Sequence, residues 1–189
     1  MAKQEGVAVL LAPGASAGRD QPALVAIEAA VAPRPVSRMD FPYRREGRRS
    51  PDRQPVLVAA VRAEAEALAA SAGVAPERLV LGGRSMGGRM CSIAAAEGLP
   101  ALALVLVSYP LHPPGRRDRM RTEHFPDLTM PCLFVSGTRD TFGTPDELTA
   151  AAAAIPGPVT HVWIEGGDHG LRRKDAEVAA AVAEFVRGL

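Results

Sequence analysis

Cysteine is nearly absent from this chain. Two thiols, Cys91 and Cys132, in 189 residues are too few for a disulfide framework and lack the paired spacing of a metal site, so a reducing cytoplasm is the default compartment. Aromatic side chains make up only 4% of the residues, which leaves Val, Leu, Ile and Ala to build the core. No run of eighteen apolar residues occurs, which argues against a membrane-spanning helix. The amino-terminal stretch MAKQEGVAVLLAPG has neither the basic head nor the long apolar segment of a secretory leader. A dominant charge is missing too: 22 Lys and Arg oppose 21 Asp and Glu, so nothing in the overall charge draws the chain to nucleic acid. No repeat, low-complexity block or linker interrupts the sequence. Residues 1–189 read as one domain, and a hydrophobic content of 47% suffices for a sizeable core.

What is present is alternation. Short apolar runs occur at GVAVLLAP, PVSRMDF, RLVLGG, ALALVLVSYP, PCLFVSG and THVWIEG, and they predict about six strands. Between them, QPALVAIEAAVA, PVLVAAVRAEAEALAASAG, MGGRMCSIAAAEG, PDELTAAAAAI and KDAEVAAAVAEFVRGL repeat apolar residues three and four apart, the period of a helix buried on one side. Five helices are predicted. Strands apolar on both faces, alternating with amphipathic helices, specify a mostly parallel sheet covered on two sides, a three-layer α/β/α sandwich. PPGRRDRMRTEHFPDLTMP is the longest irregular stretch and reads as a loop with room for one helical turn. In open α/β sheets ligands bind beyond the carboxyl ends of the strands.

One such end carries Gly83-Arg84-Ser85-Met86-Gly87. A serine fenced by glycines, where an apolar run turns directly into a helix, matches G-x-S-x-G, in which Gly83 and Gly87 leave room for a turn too tight for side chains. A serine hydroxyl is a poor nucleophile alone and needs a base within reach and a third group to orient that base. Asp140 and His169 each follow a later predicted strand, at the same sheet edge, in the chain order Ser, Asp, His that this motif requires. The bland alternative, a structural serine in a glycine-rich loop, leaves the other two positions unexplained. The first strand ends in Pro13-Gly14-Ala15, so the backbone N–H groups of Ala15 and Met86 are the candidate oxyanion donors; a simple turn at Gly14 and Gly18 is the competing reading.

Other groups receive structural readings. His112 and His124 follow the fourth strand and read as loop-structuring; His161 stands at a strand start, the wrong edge. Asp168 competes with Asp140 as the orienting acid, although a carboxylate rarely reaches its neighbour's ring. Cys91 and Cys132 read as small buried hydrophobes. Arg38 and Asp40 alternate at a strand end and read as a local ion pair or as solvated charges. Arginines crowd the loops at the predicted active edge: Arg44, Arg45, Arg48, Arg49 and Arg53, then Arg116, Arg117, Arg119 and Arg121, then Arg172 and Arg173. A rim including Arg44, Arg45, Arg116 and Arg172 would steer an anionic substrate. The alternative is that these arginines are solvated or paired with Glu46, Asp52 and Asp118.

Across nearly its whole length the sequence resembles the α/β-hydrolases, nearest their small lidless dienelactone-hydrolase-like and testis-expressed-protein-30-like members. The likeness rests on LLAPGASAG, MDFPYRREGRRSPDR, GGRSMGGR, GTRDTFGTPDEL and GGDHGL. It implies an α/β-hydrolase fold lacking the usual first two strands, with Ser85 as nucleophile, Asp140 as acid and His169 as base. Two departures stand out. The testis-expressed-protein-30-like branch usually has a histidine where this chain has Pro13, and dienelactone hydrolases carry a cysteine nucleophile where this chain has Ser85. The implied activity is cleavage of a small ester or thioester, with no metal or organic cofactor and neither nucleic acid nor membrane as partner. Peracid formation by the same triad is a lesser option, and a non-catalytic binding module on the same fold is the alternative.

Overall fold

A computed structural model describes residues 6–189; residues 1–5, on which the reading of the amino terminus partly rests, lie outside it. Six strands form one sheet: β1 (Ala8–Ala12), β2 (Val36–Arg38), β3 (Leu79–Arg84), β4 (Ala103–Val107), β5 (Cys132–Gly137) and β6 (Val159–Ile164). Their order is β2-β1-β3-β4-β5-β6, and all five pairings are parallel. The four inner strands are buried on both faces, which is why they read as continuous apolar runs. The edge strands β2 and β6 are only partly covered, which departs from the expectation of uniformly buried strands.

Side-chain alternation along the strands separates two cores. On one face Val9, Leu11, Val80, Val105, Val107 and Leu133 meet α1 (Pro22–Val31) and α6 (Asp175–Arg187). On the other, Leu10, Leu81, Leu104, Leu106 and Phe134 meet α3 (Gln54–Ala72), α4 (Met86–Ala96) and α5 (Pro145–Ala152). The five predicted helices are therefore present. The sixth, α2 (Pro42–Arg45), is a single turn, begun by Pro42, inside a stretch expected to be loop. The few aromatic rings are concentrated in the second core, where Tyr109, Phe125 and Phe134 contact one another with centroids 5.4 to 6.1 Å apart. The irregular connection from 108 to 131 forms no separate domain; its one helical turn is a 3-10 turn at Phe125–Asp127.

Arg38 and Asp40 do not pair. The Arg38 guanidinium instead reaches Asp20 at 2.8 Å and Glu28 at 2.6 Å, because α1 lies beside β2, while Asp40 accepts from the Arg19 N–H at 2.8 Å.

Candidate active site

The carboxyl ends of β3, β5 and β6 converge on one cleft. β3 ends at Arg84 and α4 begins at Met86, so Ser85 alone makes the turn. Its backbone has φ 51 and ψ −116, a conformation costly for a residue with a Cβ, of order 1–3 kcal/mol. The Ser85 N–H is tied to the Val107 carbonyl at 2.8 Å, which holds the turn against β4. Gly83 and Gly87 permit it: a Cβ at either position would collide with the Ala12 carbonyl, and at Gly87 with the Pro13 carbonyl too.

The hydroxyl thus raised is 2.9 Å from His169 Nε2. The other ring nitrogen, Nδ1, lies 2.9 and 3.1 Å from the two carboxylate oxygens of Asp140. Since an ionised carboxylate only accepts, Nδ1 carries the hydrogen and Nε2 keeps its lone pair for the Ser85 hydroxyl. Asp140 is 2% exposed and also accepts the Phe142 N–H at 2.8 Å; the Phe142 ring lies over the imidazole, centroids 3.9 Å apart. Asp168, the competing acid, is exposed and makes no bond to the ring.

Across the cleft, Gly14, Ala15 and Ser16 face Ser85 and Met86. Met86 is the first residue of α4, so its N–H has no carbonyl to bond within the helix and lies at the helix's positive end. The loop at Ala15 is held by groups not singled out in the sequence. Gln21 Oε1 accepts the Gly14 N–H at 3.1 Å, and the Tyr43 hydroxyl donates to the Ala15 carbonyl at 2.7 Å. These two side chains supply positioning at the loop where Pro13 replaces the expected histidine. Arg84, the residue before the serine, donates to the His169 carbonyl at 2.5 Å and so ties the turn to the histidine loop. Burial pulls its pKa below the usual range, against the opposing fields of Asp140, Asp168 and Asp175.

The cleft encloses about 480 Å³, within the range of small-molecule sites. The arginine rim is not assembled there. Arg45 pairs with Glu64 at 3.3 Å and Arg116 with Asp118 at 3.2 Å. Arg44 and Arg172 border separate depressions, beside Asp40 and Asp168 respectively. The expected pairings account for Arg48 as well, which meets Glu46 and Asp52 at 2.7 and 2.8 Å. Arg45 and Arg116 thus meet carboxylates close by in the fold, and none of the four rim arginines lines the cleft.

The remaining candidates are structural. The buried His112 ring bonds the Pro113 carbonyl at 2.9 Å. His124 Nε2 lies 2.8 Å from the Ser92 hydroxyl, and burial chiefly, with the nearby Arg89 charge, lowers its pKa to about 4. His161 stacks between Phe134 and Trp163, away from the cleft. Cys91 and Cys132 are buried, and desolvation raises both thiols to about 12. A native sample is expected to give almost no reaction with a chromogenic disulfide reagent at pH 8, and two equivalents once denatured. Rapid labelling of either thiol in the native state would contradict the burial. Among the described residues no helix is long and apolar enough to cross a membrane, and no cluster of His, Cys, Asp or Glu is arranged to hold a metal ion.

Comparison with known proteins accords with this architecture. Est1E from Butyrivibrio proteoclasticus superposes with a TM-score of 0.78 over 97% of this chain and 88% of its own, at 16% identity. A serine hydrolase without a lid from Xanthomonas campestris gives 0.76 over 99% and 83%, at 21% identity. At such identities the likeness is one of fold. Epoxide hydrolase A of Mycobacterium tuberculosis is 40% identical over 63 residues, a stretch covering 33% of this chain and 20% of that enzyme. The alpha/beta hydrolase domain model matches residues 5–185, and with that match spanning β1 through most of α6, the chain belongs to the alpha/beta hydrolase family.

Proposed function

We propose that the protein is a serine hydrolase that cleaves a small ester or thioester through an acyl-enzyme. The observation that carries this reading is the unbroken relay from the Ser85 hydroxyl through His169 to the buried Asp140, at 2.9 Å for each link. In this reading Ser85 Oγ attacks the carbonyl carbon while its proton passes to His169 Nε2. The oxyanion that forms accepts from the N–H groups of Ala15 and Met86. His169 then gives its proton to the departing alcohol or thiol, water attacks the acyl-enzyme with His169 as base, and the acid leaves with Ser85 restored. Asp140 stabilises the imidazolium and keeps Nδ1 protonated throughout.

The open cleft, over which no covering domain lies among the described residues, suits a substrate of modest size. Such cleavage is what Ser85, His169 and Asp140 accomplish with water alone as co-reactant. The single domain and the membership of the small lidless branch are part of the same proposal.

The test is covalent labelling with a fluorophosphonate probe beside turnover of 4-nitrophenyl butyrate. Wild type is expected to label at Ser85 and to release 4-nitrophenol, and Ser85→Ala to do neither. A folded wild type that neither labels nor turns over would favour a binding module on this fold.

A further inference from the structure

Three arginines border the cleft without an ion pair; Arg84 is engaged by the His169 carbonyl, which leaves Arg89 and Arg121. Arg89 lies one turn along α4 from Ser85, and Arg121 enters from the irregular loop after β4. Neither makes an ion pair, although nine other arginine or lysine contacts to carboxylates occur among the described residues. Arg89 gives one hydrogen bond, from Nη2 to Gln54 Oε1 at 3.0 Å, while its Nε is buried and has no partner. Arg121 reaches only the Pro110 carbonyl, at 3.5 Å.

The local electrostatics are unfavourable without a ligand. Arg89 places a cation near the positive end of a helix, which costs stability. Burial chiefly, and the Arg89 charge next, lowers the Arg121 pKa, so the two guanidinium groups feel one another. Asp52, the one acid on the cleft wall, is occupied by Arg48 at 2.8 Å and the Tyr43 N–H at 3.1 Å. Glu97, Glu123 and Asp127 border the neighbouring depression behind Arg89, and Glu97 is engaged by Arg62 at 3.3 Å.

Both positions are nevertheless held firmly. The Arg89 carbonyl accepts from Ser92 Oγ at 2.9 Å. The Arg121 carbonyl accepts from the buried Tyr109 hydroxyl at 2.6 Å, and its N–H donates to the Leu111 carbonyl at 2.9 Å. A loop arginine whose backbone is fixed by a buried tyrosine thus lines the same cleft as a helical arginine with a buried unused donor, beside the serine.

We infer that Arg89 and Arg121 form a carboxylate-binding subsite, so that the substrate is a monoester or monothioester of a dicarboxylic acid, its free carboxylate held by the two guanidinium groups while Ser85 takes the esterified end. The inference rests on the hydrolase reading above and narrows its substrate. A carboxylate there gives charge-assisted hydrogen bonds to both arginines and relieves their mutual repulsion.

The experiment compares kcat/KM for mono-4-nitrophenyl adipate with that for 4-nitrophenyl hexanoate, esters of equal acyl length differing by one carboxylate. Wild type is expected to favour the anionic ester by about tenfold or more. Arg89→Gln and Arg121→Gln should each cut that preference about tenfold, chiefly through KM. Arg116→Gln, outside the cleft and paired with Asp118, should keep it. Should Arg89→Gln fail to fold, Arg121→Gln on the loop decides alone. A wild-type ratio near one, or a ratio unchanged in the arginine variants, would overturn the subsite while leaving the hydrolase reading intact. If neither ester is cleaved, the hydrolase reading fails, and calorimetric titration with adipate decides the subsite separately: binding lost in Arg121→Gln supports it, and no binding to wild type overturns it.

Discussion

Replacing Ser85 with alanine is expected to lower kcat on 4-nitrophenyl butyrate by about 10⁴ to 10⁶-fold, and His169→Ala by a similar factor. The size follows from the geometry. In the proposed mechanism Ser85 supplies the attacking atom and His169, 2.9 Å away, the base, so either loss removes the covalent route altogether. The double variant should then be no worse than either single one, because the residues act as a unit. Asp140→Asn is expected to cost about 10⁴-fold, since an amide can donate to Nδ1 and favour the tautomer that cannot accept from Ser85. Circular dichroism and thermal melts on the same samples separate lost chemistry from lost structure. Activity within tenfold of wild type in Ser85→Ala would place the chemistry elsewhere.

Gly87→Val is expected to lower the melting temperature by about 10 °C or more, or to prevent folding, and to abolish esterase activity in whatever folds. The cause is backbone, not side chain: a Cβ at position 87 would overlap the carbonyls of Ala12 and Pro13, which cannot rotate aside. Overpacking of this kind costs about 1–3 kcal/mol even in yielding cores, and here the only relief is to pull α4 from the end of β1. That movement would shift Gly14 and Ala15 together. Gly87→Ala should show most of the same loss, because the collision begins at Cβ. A Gly87→Val protein as stable and active as wild type would refute so close an approach.

The sheet, the five longer helices and the meeting of Ser85, Asp140 and His169 were legible in the sequence because each depends on local pattern. Apolar runs mark inner strands, and residues just past such runs share an edge in any parallel sheet. What escaped depends on paths that only the folded chain defines. The turn of helix at Pro42–Arg45 is too short to show a period. Arg38 turned to Asp20 and Glu28 because α1 packs beside β2, a neighbour its own segment does not reveal. Gln21 and Tyr43 carry no motif, yet they fix the Ala15 loop. For the arginines, sequence reported density and the structure reported partners. Arg45 and Arg116 are paired, whereas Arg121, inside the same cluster, and Arg89, outside every cluster, remain free of carboxylates at the cleft.

The bond from Arg84 to the His169 carbonyl joins residues 85 positions apart, and the Ser85–His169 bond spans 84. Both bonds bridge the ends of β3 and β6, which β4 and β5 separate in the sheet, so neither forms until those strands are paired. Loop closure over such separations is slow, and its entropy is lost before the contact returns anything. On the proposed mechanism the chemistry is therefore an end-point of folding: the relay from Ser85 to His169 is complete only when β6 has docked against β5.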